Sequence, residues 1–203
     1  GKARLEAAGR DNLLREKNEQ LLAKSEAIIK KTETIADLRN EITEARQENI
    51  EQITGGTSYC YADFHPTEDG TARVAVVHSG PFPLYDVQMQ IVDLQRFDKL
   101  APGPSSLGRF MEAQYTIDLG NLSAGAAMLR SEKIRFSGSD QQDFNISFVA
   151  RNGNWNQLVR LRQVDGRWVA ATRVVRRKGK DTKVIYEKVE GKFPRAVGSG
   201  VTW

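Results

Sequence analysis

The stretch Ile53-Thr-Gly-Gly-Thr-Ser-Tyr-Cys-Tyr-Ala-Asp-Phe64, written ITGGTSYCYADF, divides this chain into two kinds of sequence. Residues 1–53 before it are rich in charge, contain no proline and one glycine, and predict a long helix. After it, apolar and polar residues alternate, which predicts β-strands. A phosphate-binding loop needs the opposite order, with the strand first. Because Gly55 fits the left-handed position just past a helix end, we expect Gly55 and Gly56 to form a joint.

The predicted helix carries an apolar residue every seven positions, which is the spacing of a coiled-coil seam. The second seam position is mostly polar, and only Leu38 and Ala45 have core character there. A helix that buries nothing is marginal in water, so we expect a parallel homo-oligomer through residues 10–53. A coiled coil with a different chain is the alternative, and no turn signal favours a hairpin. The predicted seam consists of Leu14, Leu21, Ile28, Ile35, Leu38, Ile42 and Ala45.

The rest of the chain predicts short strands with a period of two. In the clearest run, Tyr85, Val87, Met89 and Ile91 face one way, which indicates an antiparallel sheet with one wet face. Turn signals separate the strands about every ten residues, as in β-sandwiches. The eight predicted strands are 57–64, 71–79, 84–94, 113–119, 127–136, 143–151, 155–164 and 167–176, and a closing strand at 183–189 is predicted at an edge. Residues 95–112 are predicted to be one long loop.

The predicted fold class is α+β: a long N-terminal coiled-coil helix followed by an all-β, immunoglobulin-like or C2-like antiparallel sandwich. We expect a stalk in residues 1–54, a β-sandwich domain in 55–195 and a C-terminal tail in 196–203. The 203 residues are enough for one core with a helical extension. The sequence contains no apolar run of the roughly 18 residues that a membrane helix needs.

Four blocks resemble a family of uncharacterised bacterial proteins in which a coiled coil leads into a C-terminal β-domain. They are Thr54-Gly-Gly-Thr-Ser-Tyr-Cys-Tyr61, Pro83-Leu-Tyr-Asp-Val87, the run from Asp143 to Trp155 and the run from Leu158 to Trp168. In that family the β-domain starts at a T-G-G-x-S-aromatic motif, and hydrophobic helices often precede the coil. The resemblance implies a bacterial origin and a membrane anchor ahead of this chain. It implies no activity.

The single cysteine lies close in sequence to both histidines, so a cysteine–histidine pair that binds a metal or acts in catalysis is one interpretation. Cys60 with His65 would form a metal pair, and Cys60 with His78 a nucleophile and base on adjacent strands. However, Cys60 shares a strand face with Ala62 and Phe64, which predicts a small buried residue. Acidic pairs such as Glu68–Asp69 fall on turns and are too sparse for a calcium site. We therefore predict no catalytic residue, no metal ligand and no cofactor.

Basic residues are concentrated in the last third of the β-domain. Residues 1–53 hold ten Lys and Arg against eleven Asp and Glu, whereas the rest of the chain holds 20 against 15. Arginines near Trp155 and Trp168 are able to bind phosphate groups, although a solvated sheet face is the commoner reason for such a pattern. The candidate anion-binding face consists of Arg151, Arg160, Arg162, Arg173, Arg176, Arg177 and Lys178.

These observations predict a non-enzymatic, oligomeric interaction or scaffold protein, in which the stalk displays β-sandwich domains from a membrane anchor. The expected partners are copies of the chain itself and a protein that the sequence does not identify. The alternative is a module that binds nucleic acid or an anionic lipid surface through the Arg-rich face of 151–183. No small-molecule substrate is evident.

Overall fold

The structure is a computed structural model that describes residues 2–67, 69–100, 111–195 and 200–203. Contacts divide the chain into two compact units, Gly1–Ile50 and Glu51–Trp203. The first unit consists of most of helix α1, which spans Lys2–Thr54. The second, called here the β-unit, contains the last turn of α1 and all of the strands.

The β-unit contains nine strands and a short helix within the described residues, so the nine predicted strands are confirmed with small shifts of their ends. The prediction of a loop from residue 95 is wrong at its start, because a helix begins directly after the third strand. Residues 101–110 of that predicted loop lie outside the described residues. In chain order the elements are β1 (Tyr59–Pro66), β2 (Thr71–Ser79), β3 (Leu84–Asp93), α2 (Leu94–Lys99), β4 (Gln114–Leu122), β5 (Ala127–Arg135), β6 (Gln141–Ala150), β7 (Gly153–Val164), β8 (Arg167–Lys178) and β9 (Asp181–Val189).

The strands form two sheets, and every strand pair within them is antiparallel. One sheet has the order β1-β2-β5, and the other has the order β4-β3-β6-β7-β8-β9. The fold is therefore α+β, a helix followed by a two-sheet antiparallel β-sandwich. The main core lies between the sheets, where Phe144, Phe148 and Trp155 are fully buried and Phe148 stacks on Trp155 at 5.5 Å between ring centroids.

A second, smaller apolar cluster lies on the outer face of the six-stranded sheet. Val169 and Ala171 of β8 are buried there beneath Phe193, and Val201 and Trp203 pack against them. The described part of the C-terminal tail thus packs on this face. Helix α2 follows β3 at the other side, where it packs on β6.

Side chains of β7 join the two sheets by bonding to the backbone of β1. The Gln157 side-chain amide is fully buried, accepts from Ala62 N at 2.8 Å and donates to Ala62 O at 2.7 Å. Trp155 Nε1 donates to Cys60 O at 2.7 Å. Because β1 is at the edge of its sheet, these side chains satisfy backbone groups that no neighbouring strand reaches.

Candidate functional site

The predicted seam of α1 is exposed along its whole length. Every residue from Gly9 to Ile50 is exposed in the single chain, and the exposed fraction of the large seam residues runs from 50% at Ile42 to 64% at Ile28. Four residues after the seam residue Ile28, the Thr32 hydroxyl donates to Ile28 O at 2.9 Å. That hydroxyl is therefore already satisfied within its own helix.

The double glycine ends α1, as predicted. Gly55 and Gly56 have φ values of +99° and +50°, and Gly55 N donates to Glu51 O at 2.8 Å to close the last turn. A Cβ on Gly56 would lie 2.6 Å from Phe82 Cδ2, so both the backbone angle and the space require glycine. The joint thus packs closely against the loop between β2 and β3.

Asn152, in the turn between β6 and β7, holds the joint from the side. Its Nδ2 lies within hydrogen-bonding distance of Gly55 O at 3.3 Å, Gly56 O at 3.0 Å and Ser58 O at 2.8 Å. Arg151 Nη1 donates to Ile53 O at 3.2 Å next to it. The side chains of Asn152 and Arg151 therefore contact four backbone carbonyl groups between Ile53 and Ser58 and hold this segment in place. The Asn-Gly dipeptide signals a hairpin turn in the sequence, but nothing in the sequence shows this second role of Asn152.

The arginines of the candidate anion-binding face are used mainly in contacts within the β-unit. Arg160 is 94% buried, and its Nη1 donates to Phe144 O at 3.1 Å and Val159 O at 3.0 Å. This burial lowers the pKa of the Arg160 guanidinium. Arg162 pairs with both carboxylate oxygens of Asp143. Arg160 and Arg162 of the predicted face therefore both bond to residues of β6.

The other members of that face are separated by the pleat of the sheet. Arg173 pairs with Glu187 at 2.7 Å and lies 4.2 Å from the centroid of the Trp203 ring, on the outer face. Arg176 lies on the inner face, where Nη2 donates to Ser58 O at 2.9 Å. Arg177 is exposed, without an ion pair among the described residues.

Two members remain at the margins of the face. Arg151 pairs with Asp86 at 2.9 Å in addition to its bond to the joint. The side chain of Lys178 lies outside the described residues. The structure therefore brings Arg160, Arg162 and Arg173 onto one face, as the alternation predicted, but each of them already has a partner there.

Cys60 and His78 lie directly opposite each other on β1 and β2, in the arrangement that a nucleophile and base would need. His78 Nδ1 accepts from Gly125 N at 3.1 Å, so Nε2 carries the proton and donates to Phe82 O at 2.8 Å. Burial raises the pKa of the Cys60 thiol to about 12. The pair therefore consists of a neutral thiol and an imidazole whose two nitrogens are already bonded.

The remaining candidate ligands also have structural contacts. His65 is exposed and lies 3.8 Å from Asp63. Asp69 accepts from the hydroxyls of Thr67 and Thr71, and these bonds hold its pKa well below the usual range. Glu68 lies outside the described residues. In the part of the chain that the structure describes, no group of three or more His, Cys, Asp or Glu side chains is placed to hold a metal ion.

Helix α2 borders a groove that the sequence did not predict. Leu94 and Phe97 of α2 form one wall, and outward-facing side chains of β3, β6, β7 and β8 form a floor that includes Leu158 and Val175. The groove encloses about 510 Å³, and Arg177 is part of its lining. Its lining combines apolar side chains with amides, as small-molecule sites often do. The sequence signal that indicates α2 is Asp93, because aspartate is a favoured N-cap residue and Asp93 directly precedes the helix.

Comparison of the chain with protein-family models, with curated proteins and with solved structures finds no match. Among the described residues, none of the helices combines the length and the apolar character needed to cross a membrane.

Proposed function

We propose that this protein is a non-enzymatic, homo-oligomeric interaction protein whose helix α1 forms a parallel coiled coil that displays several β-units. The observation that carries the proposal is the apolar stripe of α1, in which an apolar residue recurs at every seventh position. This stripe is exposed on a helix of 53 residues. Burying one large aliphatic side chain contributes about 1.5–3 kcal/mol, so covering this stripe provides the stability that the single helix lacks. Displaying copies on one coil raises avidity without tight single contacts.

The seam also supports a parallel arrangement with a fixed register. Leu21, Ile28 and Ile35 alternate with Asn18, Ser25 and Thr32, which are small polar residues. Such residues lower the stability of a coiled coil and select the register in which they face one another. Leu22 and Ile29 lie beside the seam and widen the stripe, which favours more than two helices.

The test is the mass of the full chain measured by sedimentation equilibrium. We expect a reversible oligomer for the natural sequence and a monomer for Leu21→Asp/Ile28→Asp. The control Ala23→Asp/Asn40→Asp adds the same charge to the side of the helix away from the seam and should remain an oligomer. A natural chain that stays monomeric at all concentrations would overturn the proposal, as would equal effects of the two double variants.

We further propose that the β-unit is an immunoglobulin-like sandwich extended by the hairpin of β8 and β9. In the constant-type immunoglobulin order, the first, second, fifth and fourth strands form one sheet and the third, sixth and seventh form the other. Moving the fourth strand next to the third gives β1-β2-β5 against β4-β3-β6-β7, the order found in this chain. This match supports the immunoglobulin-like alternative over the C2-like one.

In the bacterial family that the chain resembles, a coiled coil also leads into a β-domain, and we propose a membrane-associated setting on that basis. The alternative function, binding of nucleic acid or anionic lipid by the Arg-rich face, gains no support from the side-chain contacts. Arg160, Arg162 and Arg173 already have bonds within the β-unit, so they would have to exchange those bonds for phosphate contacts.

A further inference from the structure

Helix α2 points two kinds of side chain in two directions. Residues three apart in a helix share a face. Leu94 and Phe97 line the groove on the outer face, whereas Arg96 and Lys99 line a separate pocket. The short helix therefore presents apolar side chains to the groove and two cations to the other pocket.

The second pocket is lined by three basic side chains and two aromatic rings. Arg96 and Lys99 come from α2, Arg135 comes from the end of β5, and the rings belong to Tyr115 and Phe136. The pocket encloses about 390 Å³, and Ser137 completes its lining. Within the described residues, no carboxylate lines it. We call it the basic pocket.

The cations of the basic pocket have no acidic partner among the described residues. Among the described residues, Arg96 and Arg135 form no ion pair, whereas Arg151, Arg162 and Arg173 each do. Lys99 Nζ donates to Ser137 O, which uses one of its three protons. Two guanidinium groups and most of an ammonium group are thus available to an anion.

A buried polar network fixes the two segments that carry this pocket. The fully buried Asp93 carboxylate accepts from Arg96 N at 2.9 Å, from Ser137 Oγ at 2.5 Å and from Gln142 Nε2 at 2.7 Å. Gln142 Oε1 accepts in turn from Ser137 N at 2.8 Å. The network ties the start of α2 to the segment after β5, so folding itself places the backbone of the cationic residues.

We propose that the basic pocket binds the phosphate group of a phosphorylated organic molecule, with Arg96, Arg135 and Lys99 on the phosphate oxygens and Tyr115 and Phe136 against the organic part. A dianionic, tetrahedral group is able to accept from several directions, which suits two guanidinium forks and an ammonium. A carboxylate has a single charge and is satisfied by one fork. The site is independent of the oligomer through α1.

The experiment is a titration of the full chain with phenyl phosphate, followed by NMR or calorimetry, with benzoate as the matched carboxylate. We expect saturable binding of phenyl phosphate that is at least about tenfold tighter than that of benzoate. Arg96→Gln/Arg135→Gln should weaken it by at least about tenfold. The control Arg167→Gln removes an exposed arginine at the start of β8 and should leave the binding unchanged.

A second arm separates a free phosphate ester from a lipid headgroup. Flotation with phosphatidylcholine vesicles containing phosphatidic acid tests whether the same pocket recognises a phosphate at a membrane surface. Variant-sensitive binding of phenyl phosphate alone assigns a soluble ester, and variant-sensitive retention on these vesicles assigns a lipid. Equal binding of phenyl phosphate and benzoate would overturn the proposal. So would equal binding of phenyl phosphate by the natural chain and by Arg96→Gln/Arg135→Gln, when the thermal unfolding of the two proteins is the same.

Discussion

Replacing Gln157 by methionine tests whether the amide that joins the two sheets is a main source of stability in the β-unit. Methionine has nearly the same length and fits an apolar core, so it removes the polar contacts without leaving a large cavity. The bonds lost are those to Ala62 N at 2.8 Å and to Ala62 O at 2.7 Å. Both backbone groups would then be buried without a partner.

Each buried polar group left without a hydrogen bond costs about 1–3 kcal/mol, so two such groups cost about 2–6 kcal/mol. For a folding unit of this size, about 1 kcal/mol corresponds to a change of roughly 2–4 °C in Tm. We therefore expect Gln157→Met to lower Tm by at least about 5 °C. Tryptophan fluorescence is the appropriate signal, because all three tryptophans lie in the β-unit. A variant whose free energy of unfolding stays within about 0.5 kcal/mol of the natural chain would refute the reasoning.

Gln157→Glu provides a check through pH. The protonated acid donates to Ala62 O and accepts from Ala62 N, whereas the carboxylate is unable to donate. Burial and the facing carbonyl raise the pKa of this carboxyl group in the folded state above its value of about 4.3 in the unfolded chain. Stability relative to the natural chain is therefore greatest below that unfolded value and falls as pH rises through the folded pKa. Urea midpoints that differ by a constant amount at all pH values would contradict the two-way bond.

Three further outcomes follow from the joint and from the buried thiol. Asn152→Ala should cost about 1–3 kcal/mol and speed proteolytic cleavage near the joint, because Gly56 O loses its donor and Gly55 O and Ser58 O each lose one of two donors; unchanged cleavage would contradict this. Gly56→Ala should lower Tm more than Gly120→Ala, since both have positive φ but only Gly56 meets another side chain, that of Phe82; equal losses would show that packing plays no part. Cys60 should resist iodoacetamide at neutral pH until urea unfolds the β-unit, because its pKa is raised to about 12; rapid labelling of the folded chain would disprove this.

The alternation of residues predicts a strand well where the strand buries mainly one face. In β3, Val87, Met89 and Ile91 are all fully buried, as the period of two requires. Tyr85, predicted on the same face, lies in a register shift between Leu84 and Val87 and is only half-buried, whereas Leu84 is fully buried. Helix α2 was missed because six residues are too few to show a helical period. The predicted strand 84–94 includes the N-cap Asp93, which is also the last residue of β3 in the structure.

The use of the arginines was harder to predict, because alternation gives the face of a residue and not the reach of its side chain. Arg160 was expected on a wet face, and its backbone position agrees with that expectation. Its long side chain nevertheless turns along the sheet and donates to Phe144 O and Val159 O, so that the residue is buried. Guanidinium groups have five donors and readily satisfy backbone carbonyls in this way. A run of arginines in sequence therefore predicts charge, but not its availability to a ligand.

Gln157 shows where sequence reasoning reaches its limit in this chain. Its place between Trp155 and Val159 puts a polar residue on the core face, and a buried amide requires bonding partners. The partner on Ala62 is 95 positions away, and Trp155 reaches Cys60 over the same separation of 95. A constant separation means that β7 runs in the same direction as β1, with alternate side chains of one strand bonded to alternate backbone groups of the other. This parallel contact closes the edge of the three-stranded sheet without a further strand, and it explains why two large polar-tipped side chains occupy the centre of an apolar core.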